Sequence, residues 1–428
     1  MKKLLLGAAG LALVAGIGVA VAQLTPVTSV TQINSGDMFQ DVVNGVPQPQ
    51  NSYASATLLG NYSATLPGGN AENDIVGGDF GQNLFQDGTT VSTITTVATY
   101  VAEQFFAFSG TSTTIGGAQE TGAADITAGY TASLRITRTG SGVIQSCVAT
   151  IIPSAQVTRY QGATLEVDAH ALAGSGFSAA SSNLTFVQVQ GTGVNDTAAN
   201  FAKTVNSALS GTAWAGSVVN SVNVPINTAW GRYGAAFPVA ATTTEMGVAW
   251  CWTPVGASPS NDYFEITGAQ MTPNSSLTGL AGTAGGAMNI NDKRARAFLR
   301  RPIAEEQILE YSFYWRQNEA ASAAAGATAV FGTCQGTSTS TLAYCNMTFP
   351  VPMFKVPTLA YTAGTIAATV GSSAAAEAVS ALSITSLGAT TFGANLTATT
   401  SSVSSGAFGY LQSGNSTGGG KIAFSARF

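Results

Sequence analysis

From about Asp74 onward, apolar and polar positions alternate in short runs that predict β-strands. The clearest are "TASLRITRTG", "SSNLTFVQVQ", "AWGRYGAAFPV", "EMGVAWCW" and "DYFEITGAQM", separated by Gly, Asn, Ser and Thr turns. In the first run Ala132, Leu134 and Ile136 fall on one face against Ser133, Arg135 and Thr137, as a strand period of two requires. The second is less regular, because Leu184 and Phe186 share a face with Gln188 while Val187 and Val189 share the other with Thr185. A bulge near Phe186, or a strand covered on both faces, accounts for the switch. Strand-like runs return beyond residue 318 in "ATAVFGT", "LAYCNMTFPVPMF", "TLAYTAG", "ALSITSLGATTF", "SSGAFGYL" and "KIAFSARF". The pattern predicts an all-β chain: an antiparallel β-sandwich over 72–272, then a second, smaller β domain over 318–428.

The segments around these domains differ in character. Residues 273–317 begin turn-rich and become basic, with Lys293, Arg294, Arg296, Arg300 and Arg301 crowded together. Pro302 then suits a helix start, with Glu305 and Glu306 in its first turn. This stretch reads as a linker and short helix whose arginines pair with neighbouring carboxylates, in preference to a docking site for an anionic partner. At the other end, residues 1–22 are a signal-like hydrophobic segment: Lys2 and Lys3, an apolar run, then Ala20-Val21-Ala22 before Gln23. The same run is long enough for an uncleaved anchor. Residues 23–71, rich in Pro, Gly, Asn and Ser, read as an extended arm.

Only 9% of residues are charged while 45% are hydrophobic, so solubility rests on hydroxyls, amides and backbone, which suits extracellular or virion use. A net charge of −5 excludes the broad basic surface that nucleic-acid binding uses. Cys334 and Cys345 flank a polar loop and read either as a hairpin disulfide or as two buried thiols; Cys147 and Cys251 read as core residues.

No catalytic constellation emerges. His170 is the one histidine, and it lacks sequence partners for a base or metal role. Ser416 in "GNSTG" matches a nucleophile-elbow pattern, but no histidine follows it. "GSGFSA" from Gly174 leads into a β-rich run, not a phosphate-cradling helix. Glu166, Asp168, Glu245, Asp262 and Glu265 fall in the sandwich and keep a hydrolase as a minor alternative. No cofactor is expected; a structural calcium ion at Asn195 and Asp196 of "GTGVND" is a weak candidate.

The stretch "WCWTPVGASPSNDYFEITGAQM" places Trp250 and Trp252 on one strand face and Cys251 on the other. If the indole face is wet, Trp250 and Trp252, extended by Tyr263, form a stacking platform for sugar rings. If it is dry, the rings fill the space between two sheets. The dry reading is favoured, and the platform is retained as the candidate ligand site.

Residues 72–272 resemble the jelly-roll, carbohydrate-binding-module-like domain of bacteriophage tail-fibre and related virion structural proteins. The resemblance runs in order through "GGDFGQNLFQDG", "YVAEQF", "LEVDAHALAGSGFSAASSNLTFVQVQGTGVND" and "TAWGRYGAAFPVAATTTEMGVAWCWTPVGASPSNDYFEITGAQM". It continues in "RRPIAEEQILEYSFYWRQ", "FPVPMFKVPTLAY" and "GGGKIAFSARF". Two departures stand out: Phe105 occupies a tryptophan position, and Glu310 occupies a cysteine position beside Phe313 and Tyr314. The resemblance implies a jelly-roll fold and a non-enzymatic fibre or spike protein. It implies homotrimers, contact with other virion proteins, and adhesion to host surface glycan. The leader supports a second reading, a secreted or membrane-anchored bacterial surface protein using the same module.

Overall fold

The computed structural model describes residues 73–81, 90–122, 130–194, 197–256, 260–273, 286–288, 298, 301–318, 330–361, 366–370, 377–413 and 421–427, apart from isolated positions within them, and four short strands near the N-terminus. The chain divides into a unit of residues 1–72 and a compact unit of residues 73–428. In the first unit Met38–Phe39 pairs with Ala54–Ser55 and Val42–Val43 with Val46–Pro47, both antiparallel. The leader, most of the arm, the calcium candidates Asn195 and Asp196, the basic residues 293–300 and Ser416 lie outside the described residues. Among the described residues, no helix is long and apolar enough to cross a membrane.

The large unit is all-β and antiparallel. Its strands are β1 (Thr90–Ile94), β2 (Thr99–Tyr100), β3 (Phe106–Ser109), β4 (Ile115–Glu120), β5 (Ser133–Arg138), β6 (Ser146–Ile152), β7 (Thr164–Ala173), β8 (Asn183–Gly191), β9 (Val218–Pro225), β10 (Gly231–Pro238), β11 (Glu245–Trp252), β12 (Tyr263–Pro273) and β13 (Gly286–Met288). They form two packed sheets, ordered β9-β8-β11-β6-β3-β2 and β13-β10-β7-β12-β5-β4-β1. Inward-facing Leu134, Ile136, Leu165, Val167, Phe186, Val248, Trp250, Phe264 and Ile266 build the core between them.

The irregular pattern of β8 has a physical cause. Its register with β9 and β11 runs without a bulge. Leu184 and Phe186 enter the central core while Val187 and Val189 enter a second one outside the six-stranded sheet. That outer core forms because helix α1 (Ala198–Val205), capped by the Thr197 side chain, lays Phe201 over the sheet. Phe201 meets Phe106 and Trp214 edge to face, at centroid distances of 5.7 and 5.4 Å. A side chain at Gly247 would meet the Phe201 ring at 2.6 Å, so glycine admits the helix.

Cys147 and Cys251, expected as core residues, are buried and also paired. They sit opposite each other on β6 and β11 within this outer core and form a disulfide. Strand alternation alone could not reveal this, because it reports the face and not the cross-strand partner.

Helix α2 (Ile303–Phe313) follows Pro302, with Glu305 and Glu306 in its first turn. It leads into β14 (Tyr314–Asn318), β15 (Val330–Gly336), β16 (Leu342–Thr348), β17 (Thr358–Tyr361), β18 (Ile366–Val370), β19 (Glu377–Ala378), β20 (Ala381–Thr390), β21 (Gly393–Thr399), β22 (Phe408–Ser413) and β23 (Lys421–Ser425). These form a three-stranded sheet, β14-β23-β17, and a seven-stranded sheet, β19-β18-β22-β15-β16-β21-β20. Their shared core contains Phe331, Met347, Leu396, Leu411, Ile422 and Phe424. Cys334 and Cys345, directly opposite on β15 and β16, form a disulfide.

The two β assemblies join through specific contacts. Glu306 accepts from the Gly77 amide, and Arg301 donates to the Ile75 carbonyl at 3.2 Å and to Glu306 at 3.0 Å. The Arg427 guanidinium lies 4.2 Å from the Tyr100 ring and 3.9 Å from the Tyr314 ring.

Candidate functional site

The tryptophan platform is not on the surface. Trp250 and Trp252 are both 0% exposed, facing the seven-stranded sheet of the sandwich. Trp252 packs edge to face on Phe264 at 5.1 Å, and Trp250 meets Phe186 at 6.3 Å. A wet indole face would leave the sandwich interior unfilled, so burial wins. Tyr263 is half-buried with the Arg135 guanidinium 4.3 Å over its ring, and it shares no surface with the indoles.

The conspicuous loop after Trp252 instead anchors the fold. Asp262 accepts from the Ser178 amide at 3.0 Å and hydroxyl at 2.7 Å, and from Arg138 at 3.1 Å. Arg138 also donates to the carbonyls of Gly140, Ser141 and Gly256 at 2.8–2.9 Å. The "GFSAA" turn, the "WTPVG" loop and the "NDYFEITG" strand therefore converge on one buried ion pair. Gly268 lies within that strand, at its register shift against β7, with φ +56°, where a side chain would strike the Tyr130 hydroxyl at 2.4 Å.

The remaining sandwich carboxylates fall at separate places, except that Glu166 and Asp168 share one face of β7. Glu265 binds Arg135 at 2.6 Å and accepts from Ser133 at 3.0 Å. Asp168 accepts from Arg232 and Gln270, both at 3.0 Å, while burial raises it to about 7. Glu166 lies two residues before it on the same strand, and Glu245 is buried at the start of β11. Burial, with Arg232 adding to it, lowers His170 to about 4, so its imidazole is neutral at pH 7. Among the described residues, no three His, Cys, Asp or Glu side chains group to hold a metal ion.

The open candidate is the outer face of the C-terminal seven-stranded sheet. Alternation sends Cys334, Ala343, Cys345, Leu396 and Leu411 inward. It sends Thr333 and Gln335 of β15, Tyr344 and Asn346 of β16, Asn395 and Thr397 of β21, and Phe408 and Tyr410 of β22 outward. Phe408 is 78% exposed, Tyr344 57% and Tyr410 52%. Register aligns these side chains in two rows across the strands. One runs Ser383, Thr397, Tyr344, Gln335, Phe408; the other runs Asn395, Asn346, Thr333, Tyr410. Asn346 donates to Asn395 at 2.7 Å, fixing both amides. The face is hollowed into a groove of about 530 Å³ lined by Thr333, Gln335, Tyr344, Asn346, Asn395 and Phe408 among others.

Sequence reading passed over this face because its aromatics sit in strands that read as core. The signal was the phase: in "LAYCNMT" Tyr344 keeps step with Asn346 and Thr348, while Ala343, Cys345 and Met347 keep step with one another.

No family model matches the chain, and no curated protein matches it. Among solved structures it is similar to the enzymatically active domain of tailspike protein 4 of bacteriophage CBA120, at 10% identity and TM-score 0.26, over 47% of this chain and 21% of that one. It is similar to the family 11 carbohydrate-binding module of the cellulosomal cellulase Lic26A-Cel5E of Clostridium thermocellum, at 8% identity and TM-score 0.24, over 40% of this chain and 88% of that one. It is also similar to the C-terminal family 22 carbohydrate-binding module of Clostridium thermocellum Xyn10B, at 15% identity and TM-score 0.20, over 33% and 73%. Likenesses this distant carry no functional weight.

Proposed function

We propose that this chain is a non-enzymatic adhesin that binds surface glycan through the outer face of its C-terminal sheet. The observation that carries the reading is the groove itself, where exposed aromatic rings stand in register with amides and hydroxyls. A sugar presents an apolar C–H face and a rim of hydroxyls, and this arrangement offers a partner for each. The non-enzymatic reading is supported by Asp262 and Glu265, each held by an arginine.

The ordered resemblance of the sandwich to tail-fibre domains favours a virion fibre or spike, assembled as a homotrimer with other virion proteins. A secreted or anchored bacterial surface protein is the second reading. It is favoured by the leader and by the two disulfides, which suit an oxidising compartment.

The test is glycan binding by the purified full-length protein, comparing wild type with Tyr344→Ala and Phe408→Ala. Both variants should fold with stability within about 0.5 kcal/mol of wild type, because the rings are exposed, and both should bind more weakly. Unchanged binding would remove the face from the mechanism. A changed oligomeric state on sedimentation would instead make it a subunit interface. N-terminal sequencing of native material separates the two locations: Gln23 in envelope fractions without particles supports the cellular reading.

A further inference from the structure

We infer that the ligand is an uncharged polysaccharide lying across the strands of this groove, a conclusion that rests on the adhesin reading above. Three features carry it.

The first is charge. The groove is lined by Thr333, Gln335, Tyr344, Asn346, Asn395 and Phe408 with Cys334, Cys345, Thr385 and Thr397, and none of these carries a charge. An acidic glycan would surrender hydration of its carboxylates here with no lysine or arginine among the described lining residues to replace it. An amino sugar bearing a cation would meet no carboxylate.

The second is direction. Neighbouring strands lie about 4.8 Å apart, close to the length of one pyranose unit. The row from Ser383 to Phe408 crosses five strands, so a glycan running perpendicular to them passes one outward side chain per sugar. Tyr344 and Phe408 stand on either side of Gln335 in that row, two strand spacings apart. They are placed to stack on alternate sugars.

The third is the polar complement. Asn346 and Asn395 hold each other in place, and the Thr385 hydroxyl donates to the Asn395 backbone carbonyl at 3.2 Å. A fixed amide pair, with the Thr333 and Gln335 side chains beside it, offers neutral donors and acceptors to hydroxyls at little ordering cost. The disulfide between Cys334 and Cys345 ties β15 to β16 beneath them.

Affinity electrophoresis of the full-length protein would use dextran, galactomannan and laminarin as neutral probes, and alginate and polygalacturonate as acidic ones. Binding to at least one neutral polymer is expected, unchanged between low and high salt. Tyr344→Ala and Phe408→Ala should each weaken it about tenfold, with Tm unchanged. Oligosaccharides of the bound polymer should gain affinity with each added sugar up to about five, the number of strands in the row.

Salt-sensitive binding to alginate or polygalacturonate that both substitutions abolish would overturn the neutral class while leaving the adhesin reading intact. Affinity that saturates at one or two sugars would overturn the cross-strand path. Failure to bind any polymer, or binding indifferent to both substitutions, would overturn the adhesin reading at this face and this inference with it.

Discussion

Arg138 and Asp262, 124 residues apart in the chain, form an ion pair in which both side chains are 0% exposed. The charges are tolerable inside the protein because every neighbour contributes: Ser178 gives Asp262 two more donors, and three carbonyls absorb the rest of the guanidinium. Such a pair specifies loop geometry more than it stabilises, since desolvation cancels much of the attraction.

Removing one partner is a different matter, because it leaves the other charge buried and unmatched. Asp262→Asn and Arg138→Met are each expected to cost about 3–5 kcal/mol. Denaturant unfolding measures this directly. A loss below about 1 kcal/mol, the usual worth of an exposed pair, would mean that water reaches the site.

The buried indoles give a second prediction. Trp250→Ala or Trp252→Ala empties the space between the two sheets and should cost about 3–5 kcal/mol. The near-ultraviolet circular dichroism of the sandwich should collapse with it. Wild-type stability paired with lost glycan binding would instead return these rings to a surface role.

These positions also show where the sequence was readable. The period of two in "TASLRITRTG" separated a buried row from a partly wet one, and the composition of the turns placed the strands. Pro302 followed by Glu305 and Glu306 marked a helix. The failure came where a strand is apolar on both sides. In "EMGVAWCW" the alternation puts Trp250 and Trp252 opposite Ala249 and Cys251, but it does not say that a helix covers the second face. The candidate groove failed for the converse reason. Phe408 and Tyr410 look like core residues by type, yet they keep phase with Gln412, while the inward place between them and Gln412 belongs to Leu411. Residue type suggested burial and phase indicated exposure, and phase was the better guide.

Glu310 supplies the last prediction, and it lies at the junction of the two β assemblies. Its side chain is buried on α2, and its Oε2 has no hydrogen-bond partner. Burial above all, then Glu306 one turn earlier and Asp79 across the junction, raises its pKa to about 9. The folded protein therefore holds a proton that the unfolded chain releases above the ordinary carboxylate value of about 4.3. Stability from this group is complete below that value and is lost as pH rises through about 9. Glu310→Gln keeps the shape and removes the titration. Its Tm should exceed that of wild type increasingly as pH rises from 5 toward about 9, with little difference at acidic pH. Asp168 and His170 titrate alike in both proteins and cancel in the difference. Parallel Tm profiles for the two proteins would show that Glu310 is already ionised at neutral pH, with water or a cation relieving its burial.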